Sequence, residues 1–160
     1  MSRKDSSHIL RPAPEENPGI LSLHATCVSL DDEGILITGP SGAGKSRLAL
    51  ELLAAGATLV ADDRVLLGRR GDRLVATAPP GLPAAIEARG IGLIAVPLAP
   101  PTPLRLVVDL ASKAEERLPP KRAITYLAVE IELLFGGGHP FLALALTSLL
   151  RQGRFDVSKA

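Results

Sequence analysis

The stretch of sequence that decides the fold is Gly39-Pro40-Ser41-Gly42-Ala43-Gly44-Lys45-Ser46. It matches the phosphate-binding loop pattern G-x-x-x-x-G-K-[ST] at every fixed position. The glycines let backbone N–H groups turn toward a phosphate, because no Cβ blocks the approach. Lys45 is expected to reach the β and γ phosphates of a nucleotide, and the Ser46 hydroxyl is expected to hold Mg²⁺. We therefore interpret all eight residues as a nucleotide-binding loop.

The segments that flank this loop have the character that such a loop requires. Residues 35–38 form a short apolar run that predicts a buried strand, and residues 47–55 predict a helix that ends at Gly56. A strand, a glycine-rich loop and a helix N-terminus together form an anion site. The alternative is a Gly/Ser turn with an unrelated lysine, and these flanking segments argue against it.

Length and composition are typical of one domain with an unstructured start. The chain has 160 residues, 46% of them apolar, and no Trp, so its core must be built from aliphatic side chains. Residues 1–18 are polar and proline-bearing, and we predict that they are disordered. Residues 19–156 are predicted to form a single domain. The predicted fold class is α/β, with a mixed β-sheet and few helices.

Charge and cysteine content argue against several classes of partner. A net charge of +1 gives no electrostatic reason to bind nucleic acid or an anionic membrane. The longest apolar stretches, about ten residues, are too short to cross a bilayer. The single cysteine, Cys27, cannot form an internal disulfide, so we predict a reducing, cytoplasmic location. We interpret Cys27 as a buried strand residue rather than a nucleophile.

Most of the remaining chain shows strand patterns separated by Gly and Pro turns. Strands are predicted at residues 19–30, 58–61, 93–96, 104–110 and 124–134, and a hairpin at residues 64–67 and 73–77. Residues 84–87 predict one helical turn, and residues 141–151 predict the closing helix.

One histidine has a predicted position beside the loop. If a tight turn at residues 31–34 joins two antiparallel strands, residues whose numbers sum to about 65 face each other. His24 is then expected opposite Ser41, where it would bond a phosphate or tune a nearby carboxylate. A half-exposed strand histidine without a role is an equally weighted alternative.

Three carboxylates are candidates for the chemistry. Asp62 and Asp63 follow the strand predicted at residues 58–61, which is expected beside the strand that precedes the loop, so both should lie near the bound phosphates. Phosphoryl transfer needs a base for the attacking hydroxyl and a carboxylate for Mg²⁺, and either aspartate is a candidate base. Glu87 could reach the metal and Arg89 a phosphate, although such pairs are usually surface charges.

Taken together, these residues resemble the catalytic domain of HPr kinase/phosphorylase, a bacterial enzyme that phosphorylates a serine of the phosphocarrier protein HPr. The resemblance runs over about residues 23–118. It rests on His24, the loop, Ala-Asp-Asp-Arg-Val at residues 61–65, Ala-Pro-Pro at residues 78–80, and Ile-Glu-Ala-Arg-Gly-Ile-Gly at residues 86–92. The loop alone is generic, whereas the Ala-Asp-Asp-Arg-Val and Glu-x-Arg-Gly-x-Gly strings in this order are specific.

The resemblance implies roles for six residues. His24 matches an active-site histidine, Lys45 the loop lysine, and Ser46 and Glu87 the Mg²⁺ ligands. Asp63 matches the aspartate that takes the proton of the substrate serine. Glu116-Arg117-Leu118 resembles the family's Asp-Arg-Leu, whose arginine is an active-site residue.

The resemblance also implies an architecture. It implies a phosphate-loop fold similar to phosphoenolpyruvate carboxykinase and assembly into homo-hexamers. The chain resembles a short form, found in alphaproteobacteria, that lacks the family's N-terminal domain. Where the family carries Pro-Val-x-x-Gly-Arg, tied to the phosphorylase reaction, this chain has Tyr126-Leu127-Ala128-Val129-Glu130. We therefore expect weak or absent phosphorylase activity.

The leading hypothesis is an ATP- and Mg²⁺-dependent serine kinase that acts on HPr or an HPr-like phosphocarrier of the phosphotransferase system. Two alternatives stay open: a small-molecule kinase on the same scaffold, and a nucleotide-binding regulator without catalytic activity. The combination of His24, Asp63 and Glu87 favours catalysis, because a protein that only binds a nucleotide needs only the loop.

Overall fold

The computed structural model describes residues 19–159, so the predicted disordered tail, residues 1–18, lies outside the described residues. Within the described part there are eleven strands, two α-helices and a short 3₁₀ helix at Val157–Lys159. The strands are β1 (Ile20–Leu23), β2 (Thr26–Leu30), β3 (Glu33–Thr38), β4 (Thr58–Ala61), β5 (Val65–Arg70), β6 (Arg73–Thr77), β7 (Ala85–Ala88), β8 (Gly92–Ala95), β9 (Thr102–Asp109), β10 (Arg122–Tyr126) and β11 (Val129–Phe135). The helices are α1 (Lys45–Ala54) and α2 (Leu142–Gln152).

Strand β9 pairs with three other strands of a nine-stranded mixed sheet. It runs parallel to β3 and to β11, and antiparallel to β6 at its start. The main path of the sheet is β1-β5-β6-β9-β3-β2-β4, and β10 joins it through β11. Strands β7 and β8 form a separate two-stranded sheet. The predicted fold class, α/β with a mixed sheet and few helices, is confirmed.

The sheet buries a different core on each of its faces. Along β3, Leu36 packs into one core while Ile35 and Ile37 pack into the other, as strand alternation requires. The second core is closed by α1 and α2 through Leu48 and Leu146. The first core is filled by side chains of several strands, including β1, β5, β6, β10 and β11. Tyr126 is its one buried aromatic residue among those described. The core is aliphatic, as the composition predicts.

The turn between β2 and β3 is shorter than the sequence predicts. Asp31 and Asp32 both have positive φ, 51° and 66°, which makes a two-residue hairpin turn with mirror-image geometry. Strand β3 therefore begins at Glu33, and Thr26 faces Ile37. The residue numbers of each facing pair therefore sum to 63 instead of the predicted 65, so the predicted register is wrong by two positions.

Three other predicted elements need correction. The strand predicted at residues 19–30 breaks at His24 into β1 and β2, because β1 pairs with β5. The helical turn predicted at residues 84–87 is strand β7, which pairs with β8. The single strand predicted at residues 124–134 is the β10–β11 hairpin, whose turn places Leu127 and Ala128 at positive φ, 48° and 63°. Leucine and alanine rarely adopt that conformation, so the sequence carries no turn signal there.

The glycines after β11 allow a close approach to the end of β9. The backbone N–H of Gly137 donates to the carbonyl oxygen of Ser112 at 2.8 Å, and that of Gly136 donates to the carbonyl oxygen of Asp109 at 2.9 Å. A Cβ on Gly137 would lie 2.7 Å from the carbonyl oxygen of Leu110. That neighbour is backbone, so the chain itself must move to accommodate any side chain.

We expect Gly137→Ala to destabilise the fold by about 2 kcal/mol, because the added methyl group overlaps backbone oxygen. The matched control is Gly68→Ala on β5, where a Cβ meets nothing within 4 Å. Urea denaturation measures the free energy of unfolding of both variants. Equal stability of the two would contradict the proposed close approach.

Candidate active site

A cleft of about 620 Å³ lies where β3 and β4 end and α1 begins. Its size suits a nucleotide. Four segments line it. The loop and α1 form one wall, and the other walls are formed by the start of β2 with the residues before it, by the residues after β4, and by the end of β7. The lining residues are His24, Thr26, Ser41, Gly42, Gly44, Lys45, Ser46, Arg47, Leu50, Asp62, Asp63, Glu87, Ala88 and Arg89.

The loop presents the N-terminus of α1 to this cleft. Gly44 is the N-cap of α1, with φ 102° and no capping side chain, and the first turn of the helix carries no acidic residue. Its unpaired N–H groups and the positive end of the helix dipole are therefore available to an anion. The left-handed conformations of Gly42 and Gly44, with φ 86° and 102°, explain why glycine occupies these two positions.

Lys45 is held inside the loop. Its Nζ donates to the carbonyl oxygens of Gly39, at 2.8 Å, and Pro40, at 3.1 Å, and the residue is only 8% exposed. Burial lowers the pKa of Lys45, and the nearby carboxylates of Asp63 and Asp62 act against that shift. The cation thus lies between its own loop and two carboxylates.

Asp62 joins three elements through hydrogen bonds. Its Oδ1 accepts from the Oγ1 of Thr26 at 2.8 Å and from the Oγ of Ser46 at 3.1 Å. The carboxylate therefore connects β2 and α1 to the end of β4. The sequence interpretation missed Thr26. The signal that would have found it is the pairing of β2 with β4, in which Cys27 faces Ala61, the residue before Asp62.

The position of β4 differs from the one predicted. It was expected directly beside the strand that precedes the loop, but β2 lies between β3 and β4 and is antiparallel to both. The β2–β3 hairpin occupies that edge of β3. Strands β3 and β4 are consequently still parallel to each other, so Asp62 and Asp63 lie at the loop end of the sheet as predicted.

Asp63 pairs with His24 instead of with the loop. The Oδ1 of Asp63 lies 2.9 Å from the Nε2 of His24. The Asp63 side chain is 82% exposed, and its backbone has φ 70°, a left-handed conformation that is uncommon outside glycine. The predicted pairing of His24 with Ser41 across a hairpin is wrong because of the register and the break before β2. His24 and Ser41 nevertheless line the same cleft.

Oxygen ligands for a metal ion are gathered in the cleft. Ser46, Asp62 and Glu87 all line it, and hydroxyl and carboxylate oxygens are the ligands that Mg²⁺ prefers. Within residues 19–159, no cluster of three or more His, Cys, Asp or Glu side chains has the geometry to hold a metal ion. Mg²⁺ commonly binds through one or two protein oxygens together with waters and substrate phosphates, so these residues fit it.

Two arginines line the cleft and one predicted arginine does not. Arg89, a candidate from the sequence, lies directly after β7, and Arg47, which the sequence interpretation missed, lies on the first turn of α1, where it pairs with Glu51 at 3.5 Å. Arg117 is exposed on the segment between β9 and β10 and is not among the residues that line the cleft. The structure therefore does not bring Arg117 to the other candidate residues.

Cys27 and the segment around Leu127 also lie away from the cleft. Cys27 is fully buried, and burial raises its pKa, so it is not a candidate nucleophile. In space, the turn at Leu127 has a basic neighbour that the local sequence does not show: Arg69 donates to the carbonyl oxygen of Leu127 at 3.1 Å. Neither Arg69 nor Leu127 lines the cleft.

The comparison with known families matches this part of the chain. A family model described as the HPr Serine kinase C-terminal domain matches residues 19–117. The chain belongs to this family. The match begins at the residue before β1 and includes every residue that lines the cleft, so the matched part contains the whole candidate site.

Individual relatives share shorter segments with the chain. The HPr kinase/phosphorylase of Limosilactobacillus reuteri is 51% identical over 76 residues, which are 47% of this chain and 24% of that protein. The HPr kinase/phosphorylase of Clostridium tetani is 38% identical over 97 residues, 61% of this chain and 32% of that protein. The matched part thus spans about a quarter to a third of the length of these relatives.

A solved structure shares the fold. The Hpr(Ser) kinase/phosphatase from Coxiella burnetii superposes with a TM-score of 0.70 at 28% sequence identity, over 81% of this chain and 93% of that chain. The superposition therefore extends beyond the part that the family model matches. Among the described residues, neither helix has the length and apolar content needed to cross a membrane.

We expect Lys45→Ala to weaken ATP binding by about 10- to 100-fold, because it removes a charge-assisted hydrogen bond to the nucleotide phosphates. Lys121→Ala is the control, since Lys121 is exposed and does not line the cleft. Isothermal titration with ATP and Mg²⁺ measures both affinities. Unchanged affinity of the Lys45 variant would place the nucleotide elsewhere.

Proposed function

We propose that this chain is an ATP- and Mg²⁺-dependent protein-serine kinase whose substrate is HPr or an HPr-like phosphocarrier protein of the phosphotransferase system. The observation that carries the proposal is that two adjacent aspartates have different hydrogen-bond partners. Asp62 is bonded to Ser46 of the loop, whereas Asp63 faces the open side of the cleft and pairs with His24. Membership in the HPr kinase family supports HPr as the acceptor.

Each step of the transfer has a residue in the cleft. The loop N–H groups and Lys45 bind the phosphates of ATP, and Asp63 accepts the proton of the substrate serine. The serine oxygen forms a bond to the γ-phosphorus, the bond between that phosphorus and the bridging oxygen breaks, and ADP leaves. His24 holds the Asp63 carboxylate in position through the 2.9 Å contact. Ser46 and Glu87, with Asp62 behind Ser46, would hold Mg²⁺, which neutralises phosphate charge when bound.

The exposure of Asp63 favours a protein acceptor over a metabolite. A small-molecule kinase encloses its acceptor in a closed pocket. Here the proposed base is 82% exposed and stands at the cleft surface, where a serine on another protein can reach it. The small-molecule kinase and the non-catalytic regulator remain the alternatives that the next experiment tests.

We expect Asp63→Asn to lower the rate of HPr phosphorylation by at least about 100-fold, because the amide cannot accept the proton, while ATP affinity stays unchanged. The control is Asp32→Asn, which changes another exposed aspartate with positive φ, in the β2–β3 turn. Transfer of labelled phosphate from ATP to HPr measures the rate. Full activity of Asp63→Asn would remove the base assignment, and labelling of a metabolite but not of HPr would favour the small-molecule kinase.

Phosphorylase activity is expected to be weak relative to kinase activity. Phosphoserine and inorganic phosphate repel each other, and cations must offset that repulsion. The stretch of residues 126–130, which corresponds to the family's Pro-Val-x-x-Gly-Arg, lacks the Gly-Arg, and of the two arginines in the cleft Arg47 is already paired with Glu51. Pyrophosphate release from serine-phosphorylated HPr and excess phosphate measures this activity. Release as fast as the forward reaction would show the expectation to be wrong.

Three further assignments belong to this proposal. Arg117 is proposed as an active-site residue on the resemblance alone, since the structure places it outside the cleft. Homo-oligomeric assembly, a hexamer by the same resemblance, is supported by the exposed apolar side chains of Phe141 and Leu144 on and beside α2. A cytoplasmic location follows from the proposed substrate.

A further inference from the structure

A second cavity opens from the candidate active site. It has a volume of about 210 Å³ and lies between β4 and the segment that carries β7 and β8. Asp62 and Glu87 line both this cavity and the catalytic cleft, and the rest of its lining is apolar, including Leu59, Leu82, Leu93 and Leu98. We name it the hairpin groove.

The hairpin groove lies on the far side of Asp62 from the phosphate-binding loop. None of residues 39–46 lines it. It borders the edge of β4 that faces away from β2. At this edge the N–H of Leu59 donates to the carbonyl oxygen of Pro97 at 2.9 Å, and the N–H of Ala99 donates to the carbonyl oxygen of Leu59 at 2.8 Å. A nucleotide held by the loop therefore has its phosphates on one side of Asp62, and the groove lies on the other.

The walls of the hairpin groove are unusually exposed for apolar residues. Leu93 is 74% exposed, and Leu82, Leu98 and the neighbouring Ile91 are also exposed. Grouped apolar side chains that face solvent commonly mark a binding surface. Here they border the carboxylates of the candidate site, so whatever covers them also stands at the mouth of the catalytic cleft.

We propose that the hairpin groove binds an apolar side chain of the serine-bearing protein substrate within about three residues of the acceptor serine, because Asp62 and Glu87 line both the groove and the catalytic cleft and three extended residues span only roughly 10 Å. This inference rests on the proposed function and adds a specificity determinant to it. The nucleotide is the less suitable occupant because no loop residue reaches the groove. A second copy of the chain is also less suitable, because it would cover Asp62 and Glu87 and obstruct the acceptor.

The first experiment compares exposed apolar residues inside and outside the groove. Leu93→Ser and Leu98→Ser remove apolar contacts from exposed positions, so neither change opens a buried core. Val157→Ser is the control, because Val157 is 76% exposed on the 3₁₀ helix, does not line the groove and lies outside the apolar surface of α2. We expect the two groove variants to lower kcat/KM for the protein substrate about tenfold through KM, with unchanged kcat and ATP affinity, and the control to match the wild type.

A second experiment tests contact with the substrate itself. Each apolar residue within three positions of the acceptor serine is replaced by serine, and each substrate variant is assayed with the wild-type enzyme and with Leu93→Ser. One such replacement should lower kcat/KM about tenfold with the wild type and much less with Leu93→Ser, because both changes remove the same contact. Additive losses for every replacement would overturn the inference.

The outcomes separate this inference from the proposed function. If the wild-type chain phosphorylates no HPr-like protein, the proposed function fails. If the wild type is active and the groove variants have its kcat/KM, the groove inference alone fails. If light scattering shows that the groove variants change oligomeric state and the loss of activity follows that change, the groove is occupied by a second copy and the inference is overturned.

Discussion

The carboxylate of Asp62 is the interaction on which the arrangement of the site depends. It accepts hydrogen bonds from Thr26 at the start of β2 and from Ser46 at the start of α1, while its own backbone follows β4. Three elements that are distant in sequence are thereby fixed relative to one another at a single point. The loop presents its backbone N–H groups to the cleft, and the Asp62 bonds fix the position of those groups relative to β2 and β4.

The order of strands makes this point of contact possible. Because β2 is inserted between β3 and β4, the start of β2 lies between the loop and the two aspartates. His24 lies two residues before Thr26, the first residue of β2, and pairs with Asp63, whereas Thr26 pairs with Asp62. The two adjacent carboxylates therefore receive different partners from a single short segment. One is tied to the phosphate-binding loop and the other is left accessible, as two separate chemical tasks require.

The parts of the site that the sequence predicted are those encoded by local residue patterns. The loop, the helix after it and the aspartates after β4 follow from motif and periodicity within about 25 residues. The pairing of His24 was mispredicted because it depends on a two-residue turn formed by Asp31 and Asp32, where no glycine signals positive φ. Thr26 was missed for a related reason, since its role appears only when β2 pairs with β4 across more than 30 residues.

Burial changes steadily from one end of the site to the other. Lys45 is almost wholly buried at the phosphate end, Asp62 is partly buried, and Asp63 is exposed at the acceptor end. Electrostatic attraction is stronger where water is excluded, so the buried end suits the highly charged phosphates of a nucleotide. A protein acceptor cannot enter a closed pocket, and it must exclude water at the exposed end by its own docking. The apolar surface beside Asp62 and Glu87 offers such a docking contact at the mouth of the catalytic cleft.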